Sequence, residues 1–195
     1  PLELVRGCID GVEAYDIDKI TLVGRELEIQ KILEDEGAEK SRFEIIKADD
    51  IIYTDDPPVA SIKNKKNSSM VKGLEYLQRD PNSVFISAGN TGALMVGSFL
   101  KVGRIRGIDR PALAPIIPTI SDEMLLIDAG ANADCKPENL EQFAIMGSVY
   151  MQKVRGKSNP RVGLINIGTE ETKGNELTKA AFKRLKQLED INFVG

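Results

Sequence analysis

Val84-Phe85-Ile86-Ser87-Ala88-Gly89-Asn90-Thr91-Gly92-Ala93-Leu94-Met95 passes from an apolar, β-branched run into a loop of small polar residues and then into helical periodicity. That order reads as a strand whose carboxyl end opens into a loop before a helix. The same order recurs twice. Met124 to Ile127 runs into Asp128-Ala129-Gly130-Ala131-Asn132-Ala133-Asp134, and Val162 to Ile165 runs into Asn166-Ile167-Gly168 and on to Lys173-Gly174-Asn175. In a parallel α/β sheet the ligand crevice lies outside the carboxyl ends of the strands, so the three loops are expected to converge on one site. Glycines let backbone approach a ligand, and N–H groups at the helix starts suit an anion.

Outward from these segments the pattern alternates. Helical periodicity covers 2–15, 26–36, 68–78, 91–102, 137–154 and 176–188; strands are expected at 20–23, 43–47, 83–87, 123–127 and 161–167, with a last one at Phe193. An acidic, proline-bearing loop runs from Asp49 to Pro58, and the apolar segment Ala112 to Ile117 follows a loop marked by Gly103, Gly107 and Pro111. Alternating elements of this length predict one α/β domain over 1–195, with a mostly parallel sheet and helices on both faces. Both ends read as cut: Pro1 leads straight into a helix with no strand before it, and Asn192-Phe193-Val194-Gly195 stops where another strand-to-loop junction is expected.

Composition excludes several classes. A net charge of −4 and 5% aromatic residues give little to hold a phosphate backbone or stack bases, so no nucleic-acid partner is expected. Cys8 and Cys135 stand far apart with neither metal-ligand nor disulfide-framework spacing, which fits free thiols in a reducing cytoplasm and no metal. No apolar run has the length of a membrane span and no signal peptide opens the chain. There is no histidine, so Ser-His-Asp, Cys-His and zincin arrangements cannot be built. Neither Gly-x-Ser-x-Gly nor Gly-x-Gly-x-x-Gly occurs, and Gly156-Lys157-Ser158 imitates a P-loop ending only until Met151 and Pro160 are read.

Attack by inorganic phosphate is a chemistry that dispenses with histidine, because phosphate is largely a dianion near neutrality and needs no dedicated base. The protein has to hold that dianion and stabilise an oxyanion, which lysines, asparagines, hydroxyls and backbone N–H groups do. These groups concentrate in Lys63-Asn64-Lys65-Lys66-Asn67-Ser68-Ser69 and in the three loops.

Lys65-Lys66-Asn67-Ser68-Ser69-Met70, Ser87 to Met95, Arg110-Pro111-Ala112, Asp128 to Pro137, Gln142 to Gly147 and Pro160 to Gly168 with Lys173-Gly174-Asn175 resemble the bacterial phosphate acyltransferase family (PlsX type), in order along nearly the whole chain. The resemblance implies transfer of a fatty acyl group from acyl carrier protein to inorganic phosphate, giving acyl phosphate for phospholipid synthesis without a cofactor. It also implies a three-layer α/β/α fold similar to isocitrate dehydrogenase and phosphotransacetylase, a homodimer, and a cytoplasmic protein that meets the membrane peripherally through parts outside this chain. Of the family's pattern, the opening strand with its Met-Gly-Gly-Asp turn and the C-terminal part are expected beyond the two ends. Lys63 stands where an arginine is usual, which keeps the charge and loses the bidentate fork, and Asn67 stands where an aspartate is usual.

On this resemblance the catalytic candidates are Lys66, Asn90, Asp128, Asn132 and Lys173. Substrate-binding candidates in the first half are Lys63, Lys65, Ser68, Ser69, Ser87, Gly89, Thr91 and Gly92. In the second half they are Arg104, Arg110, Gly130, Asp134, Asn166, Gly168 and Asn175. Several have structural readings beside these. The lysines can form a solvated charge run, Ser68, Asn90 and Thr91 can cap helices, and Asp128, Asn132 and Asp134 can satisfy turn backbone. Cys135 beside Lys136 is either an acyl-accepting thiol or a bystander, while Glu170 and Glu171 oppose an anion unless they point away. Two further function classes stay open: an isocitrate-type NAD-dependent dehydrogenase, and a non-catalytic scaffold that binds acyl carrier protein through Lys101, Arg104, Arg106 and Arg110.

Overall fold

The computed structural model describes residues 1–80, 82–130, 132, 134–168, 170 and 173–195. The chain falls into two compact units, Pro1–Gly103 and Arg104–Gly195, each described by itself below.

In the first unit α1 (Leu2–Ala14) buries Val5 and Val12, two turns apart on one face. Strand β1 (Ile20–Gly24) pairs in parallel with β2 (Phe43–Lys47), Ile20 opposite Phe43 and Gly24 opposite Lys47. Helix α2 (Glu26–Asp35) makes the crossover and buries Ile29 and Leu33. Val5, Leu22, Ile29 and Leu33 form one apolar cluster. A second holds Ile62, Met70, Val71, Leu74 and Ala93, contributed by α3 (Pro58–Asn64), α4 (Ser69–Arg79) and α5 (Thr91–Gly97). Helix α3 falls inside what the sequence reads as loop and basic segment. Pro58 is its first residue, where a missing N–H costs no hydrogen bond, and Lys63 sits in its last turn, where a cation meets the carbonyl end. After α5 the chain continues as a π-helical stretch, Ser98–Val102.

The strand expected at 83–87 forms no ladder among the described residues. The period-2 pattern is nevertheless physical. Phe85 turns inward onto Leu74's cluster, while Val84 and Ile86 are 84% and 88% exposed. A pattern of alternation reports which face is buried, whereas a strand also needs a neighbour to hydrogen-bond.

In the second unit β3 (Ile116–Pro118) and β4 (Glu123–Leu125) form an antiparallel hairpin, Ile117 opposite Met124, closed by Thr119 N–H donating to the Asp122 carbonyl at 2.8 Å. This corrects the parallel reading of 123–127: the turn at Thr119–Asp122 is too short for a crossover. Helix α6 (Pro137–Lys153) packs on α7 (Glu176–Leu185), with the Arg184 guanidinium bridging Glu138 and Glu141 on α6. Strands β5 (Arg161–Val162) and β6 (Asn192–Phe193) are parallel. The strand expected over 161–167 is thus laddered for two residues, and Ile165 and Ile167 beyond them are 73% and 86% exposed. The α/β class stands in both units, with two of the three strand pairs parallel.

Two helix glycines should respond oppositely to alanine. A Cβ on Gly73 in α4 would collide with the Phe85 ring, whereas one on Gly7 in α1 meets nothing within 4 Å. Gly73→Ala is expected to destabilise by about 1–3 kcal/mol through overpacking. Gly7→Ala is expected to stabilise by about 0.5–1 kcal/mol through helix propensity. Urea unfolding of the two variants measures both; a stabilised Gly73→Ala would remove the Phe85 contact from the core.

Candidate functional site

The basic segment of the first unit is held by the acidic loop before it. Lys65 donates to an Asp56 carboxylate oxygen and to the Ile51 carbonyl at 2.7 Å, and its ammonium lies 5.2 Å from the Tyr53 ring centroid. The Lys65 hydrogen bond, with the Tyr53 N–H, holds the Asp56 carboxyl below its ordinary range. Asn67 N–H donates to the Asp50 carboxylate at 3.3 Å, while Asp50 N–H donates to the Asn67 carbonyl at 3.1 Å. Ser68 is fully buried and caps α4, its Oγ accepting from Val71 N–H at 3.4 Å; Ser69 is the first residue of that helix. Lys63 and Lys66 are exposed and have no ion pair among the described residues.

Asn90 is buried and every polar atom of its side chain is used. Nδ2 donates to the carbonyls of Tyr53, Thr54 and Asp56 at 3.1, 3.0 and 3.1 Å, and Oδ1 accepts from Ala93 N–H at 2.9 Å. It therefore positions the acidic loop and the start of α5 at once. Ser87 Oγ accepts from Gly89 N–H at 3.2 Å, Thr91 is exposed at the first turn, and a Cβ on Gly92 would press on Pro58. The first unit thus joins Lys65, Asn67, Ser68 and Asn90 around one acidic loop and leaves Lys63 and Lys66 facing solvent.

In the second unit Asp128 has a left-handed backbone, φ +64°, unusual for a residue with a Cβ. Its Oδ1 accepts from Asn132 N–H at 3.2 Å and from Asn132 Nδ2 at 2.8 Å; Asn132 Nδ2 also donates to the Pro111 carbonyl at 3.0 Å. Its Oδ2 accepts from the Cys135 thiol at 3.1 Å. Gly130 N–H returns to the Asp128 carbonyl at 2.8 Å, so the Gly130 and Asn132 amides are both turned inward. Desolvation, then the Asp128 hydrogen bond and charge, push the Cys135 thiol up to about 11. Cys135 is consequently a protonated donor that anchors Asp128, not an activated thiol. Arg110 donates to the Asp134 carbonyl at 2.6 Å and Arg104 to that of Asp109 at 2.9 Å, so both shape loops.

The third loop is built on Asn166. Its Nδ2 donates to the Lys173 carbonyl at 3.0 Å and its Oδ1 accepts from Ile167 N–H at 2.9 Å. Gly174, at φ +94°, lies so close to Asn166 and Thr178 that no side chain fits, and Asn175 caps α7 through Thr178 N–H at 2.9 Å. Lys173 is exposed, its stem against Gly168, as is Glu170. A cavity of about 740 Å³ opens at this loop, reaching from Asn166, Gly168 and Lys173 to Lys179, Phe182 and Phe193. Of the candidates read from the sequence Asn166, Gly168 and Lys173 line it, and Phe182, Phe193 and Lys179 were not among them. Lys179 and Phe182 stand four and seven positions after the Asn175 cap, on the face of α7 that turns back toward the loop. Ala131, Ala133 and Glu171 lie outside the described residues, and with them the amide of Ala131 and one of the two acidic neighbours of Lys173. Among the described residues no group of three His, Cys, Asp or Glu is placed to hold a metal ion.

In the second unit small-residue loops and the exposed Lys173 border a cavity on an α/β framework. The EutD phosphotransacetylase from Staphylococcus aureus superposes with a TM-score of 0.63 over 99% of this chain and 64% of that one, at 15% identity. The chain belongs to the fatty acid synthesis protein family, whose model matches residues 1–195. The phosphate acyltransferase of Bacillus subtilis (strain 168) is 52% identical over 196 residues, 100% of this chain and 58% of the relative. That of Caldanaerobacter subterraneus subsp. tengcongensis is 51% identical over 195 residues, 100% of this chain and 57% of the relative. The chain thus spans a little under three fifths of the length of these curated relatives.

Two titrations follow from the geometry. The Cys135 thiol, at about 11 against its ordinary 9.0, should react with iodoacetamide near pH 8 roughly a hundredfold more slowly than an unperturbed thiol, and Asp128→Asn should accelerate it. Rapid labelling in the native protein would break the Asp128 anchor. Because Asp56 is depressed, its ion pair with Lys65 contributes fully above the ordinary aspartate value of 3.8 and is lost as pH falls through the lower folded value. The protection of the Tyr53 amide against exchange, relative to its unfolded rate at the same pH, should therefore hold down to about pH 4 and fall below it, and Asp56→Asn should abolish that dependence.

Proposed function

We propose that this chain serves acyl transfer from the thioester of acyl carrier protein to inorganic phosphate. Hydrogen phosphate attacks the thioester carbonyl, an O–C bond forms, the C–S bond breaks, and the phosphate proton passes to the leaving thiolate, yielding acyl phosphate and free carrier. The observation that carries this reading is the state of Cys135. In a chain without histidine its thiol is the strongest side-chain nucleophile in the candidate loops, and it is held protonated by Asp128. A nucleophile that arrives already ionised is what such a protein can use. The relatives' name, phosphate acyltransferase, supports the same transfer, and neither a dehydrogenase nor a scaffold is favoured by it.

Lys66 in the first unit and Lys173 in the second, exposed and without ion pairs among the described residues, are each a proposed candidate for phosphate binding. The Thr91 and Gly92 N–H groups, which donate to no acceptor among the described residues, are proposed donors to the oxyanion. Asn90, Asp128 and Asn132 then act by positioning loops. Arg106, exposed, with Arg104 and Arg110 nearby in sequence, supplies positive charge for the acidic carrier protein. A homodimer, a cytoplasmic setting and peripheral membrane contact complete the reading by resemblance; no helix among the described residues is long and apolar enough to cross a membrane.

The full-length protein incubated with acyl carrier protein thioester and phosphate is expected to form acyl phosphate, and failure to do so sinks the proposal. Lys66→Gln and Lys173→Gln should each raise the KM for phosphate by about 1.5–3 kcal/mol in binding while leaving carrier affinity unchanged. Cys135→Ala should retain most activity. A stoichiometric acyl adduct on Cys135, Ser68, Ser69 or Ser87, formed and discharged at the turnover rate without phosphate, would replace direct attack by a covalent route. Reversing the charges of Arg104 and Arg106 should slow carrier association and flatten its salt dependence.

A further inference from the structure

Arg104 to Arg110, in the second unit, form a loop that is closed at its base and bare at its tip. We infer that it is a pre-formed docking knuckle for an acidic protein, with Ile105 and Arg106 as the contacts and Gln142 of α6 as the residue that positions them. That this protein is the acyl carrier rests on the acyl-transfer reading above.

The closure falls on one residue. Asp109 N–H donates to Gln142 Oε1 at 2.9 Å, its carboxylate accepts from Gln142 Nε2 at 3.2 Å, and its carbonyl accepts from the Arg104 guanidinium at 2.9 Å. Ile108 N–H returns to the Ile105 carbonyl at 3.0 Å, and Gly107, at φ +89°, supplies the left-handed residue this turn needs. The chain leaves the loop just as firmly held. Arg110 donates to the Asp134 carbonyl at 2.6 Å, and the Pro111 carbonyl accepts from Asn132 Nδ2 at 3.0 Å. The base of the knuckle is therefore bonded to α6 on one side and to the loop that follows Asp128 on the other.

The tip has no such partners. Ile105 is 71% exposed, and Arg106 beside it is exposed with no hydrogen bond or ion pair among the described residues. Singly, an exposed isoleucine and a surface arginine are ordinary. Held side by side on an ordered loop they form a contact surface, because the fold has already fixed them and binding does not have to. The charge defines the partner. The loop carries three arginines against one aspartate, which is itself bonded to Gln142, in a chain whose net charge is −4. Such an island attracts an anionic surface, and the apolar side chain next to it needs a notch to enter. A lipid surface fits less well, since attachment there takes a broad apolar face and the tip offers one isoleucine. An acidic protein with an apolar notch satisfies both groups.

Binding of unacylated carrier protein to the full-length protein, followed by fluorescence anisotropy over a range of salt, tests this. Ile105→Ser should weaken binding by at least about tenfold, as expected for one buried aliphatic side chain, and leave the salt dependence as it was. Arg106→Gln should weaken it by about two- to fivefold and flatten the salt dependence. Gln142→Ala should weaken it by roughly fivefold through loosening of the tip. It should add little once Ile105 is already replaced, a non-additivity that a general loss of stability would not produce. Ile105→Cys, treated with a bulky maleimide and mapped by peptide, reads the tip directly: it should react fast in the full-length protein and be shielded by the carrier. Slow labelling, labelling shielded by anionic vesicles and not by the carrier, or unchanged carrier affinity in Ile105→Ser and Arg106→Gln overturns the inference. If acyl phosphate forms while those variants bind carrier normally, the knuckle fails and the acyl-transfer reading survives. If they lose the carrier while the unmutated protein forms no acyl phosphate, the knuckle stands and the acyl-transfer reading fails.

Discussion

One amide side chain organises most of the polar architecture of the first unit. Asn90 spends two donors on three carbonyls of the acidic loop and its acceptor on the Ala93 amide of α5. Buried as it is, its loss would leave those carbonyls and that amide without partners, each costing on the order of 1–3 kcal/mol. Through Asp56 the same loop holds Lys65, and through Asp50 it holds Asn67 and the approach to the Ser68 cap. The basic segment is thereby sorted: Lys65 becomes a structural cation, and Lys63 and Lys66 are left to meet solutes.

The second unit solves a similar problem with a carboxylate. Asp128 accepts from Asn132 on one oxygen and from Cys135 on the other, and the left-handed backbone at Asp128 is what aims both oxygens along its own loop. The arrangement quenches the cysteine as a nucleophile as it fixes the loop.

Much of this was legible in the residues. The βαβ unit of β1, α2 and β2 announces itself by β-branched runs around a helix whose apolar positions repeat every three or four residues, and the structure agrees to within a residue or two. Helix α3 was hidden because Pro57-Pro58 reads as a loop signal, although Pro58 at a first helical position favours a helix start. The runs at 83–87 and 161–167 show correct alternation but little ladder, since pairing is a property of the neighbour and not of the run itself. For the candidate site, the loops and lysines were proposed from local composition. The aromatic wall was not, because Phe182 and Phe193 are eleven residues apart and look like ordinary core until α7 folds back beside β6.

The segment Val84 to Ser87, which joins no ladder among the described residues, bears on how the surface of the first unit meets other chains. Its backbone carries no ladder hydrogen bonds among the described residues, and its outward side chains, Val84 and Ile86, are β-branched and apolar, with no lysine or proline among them. Natural sheets blunt such edges with charge, proline or a bulge, because an open, flat, apolar edge recruits strands from other chains. Val84 and Ile86 are therefore the side chains that an incoming strand would meet first on this segment.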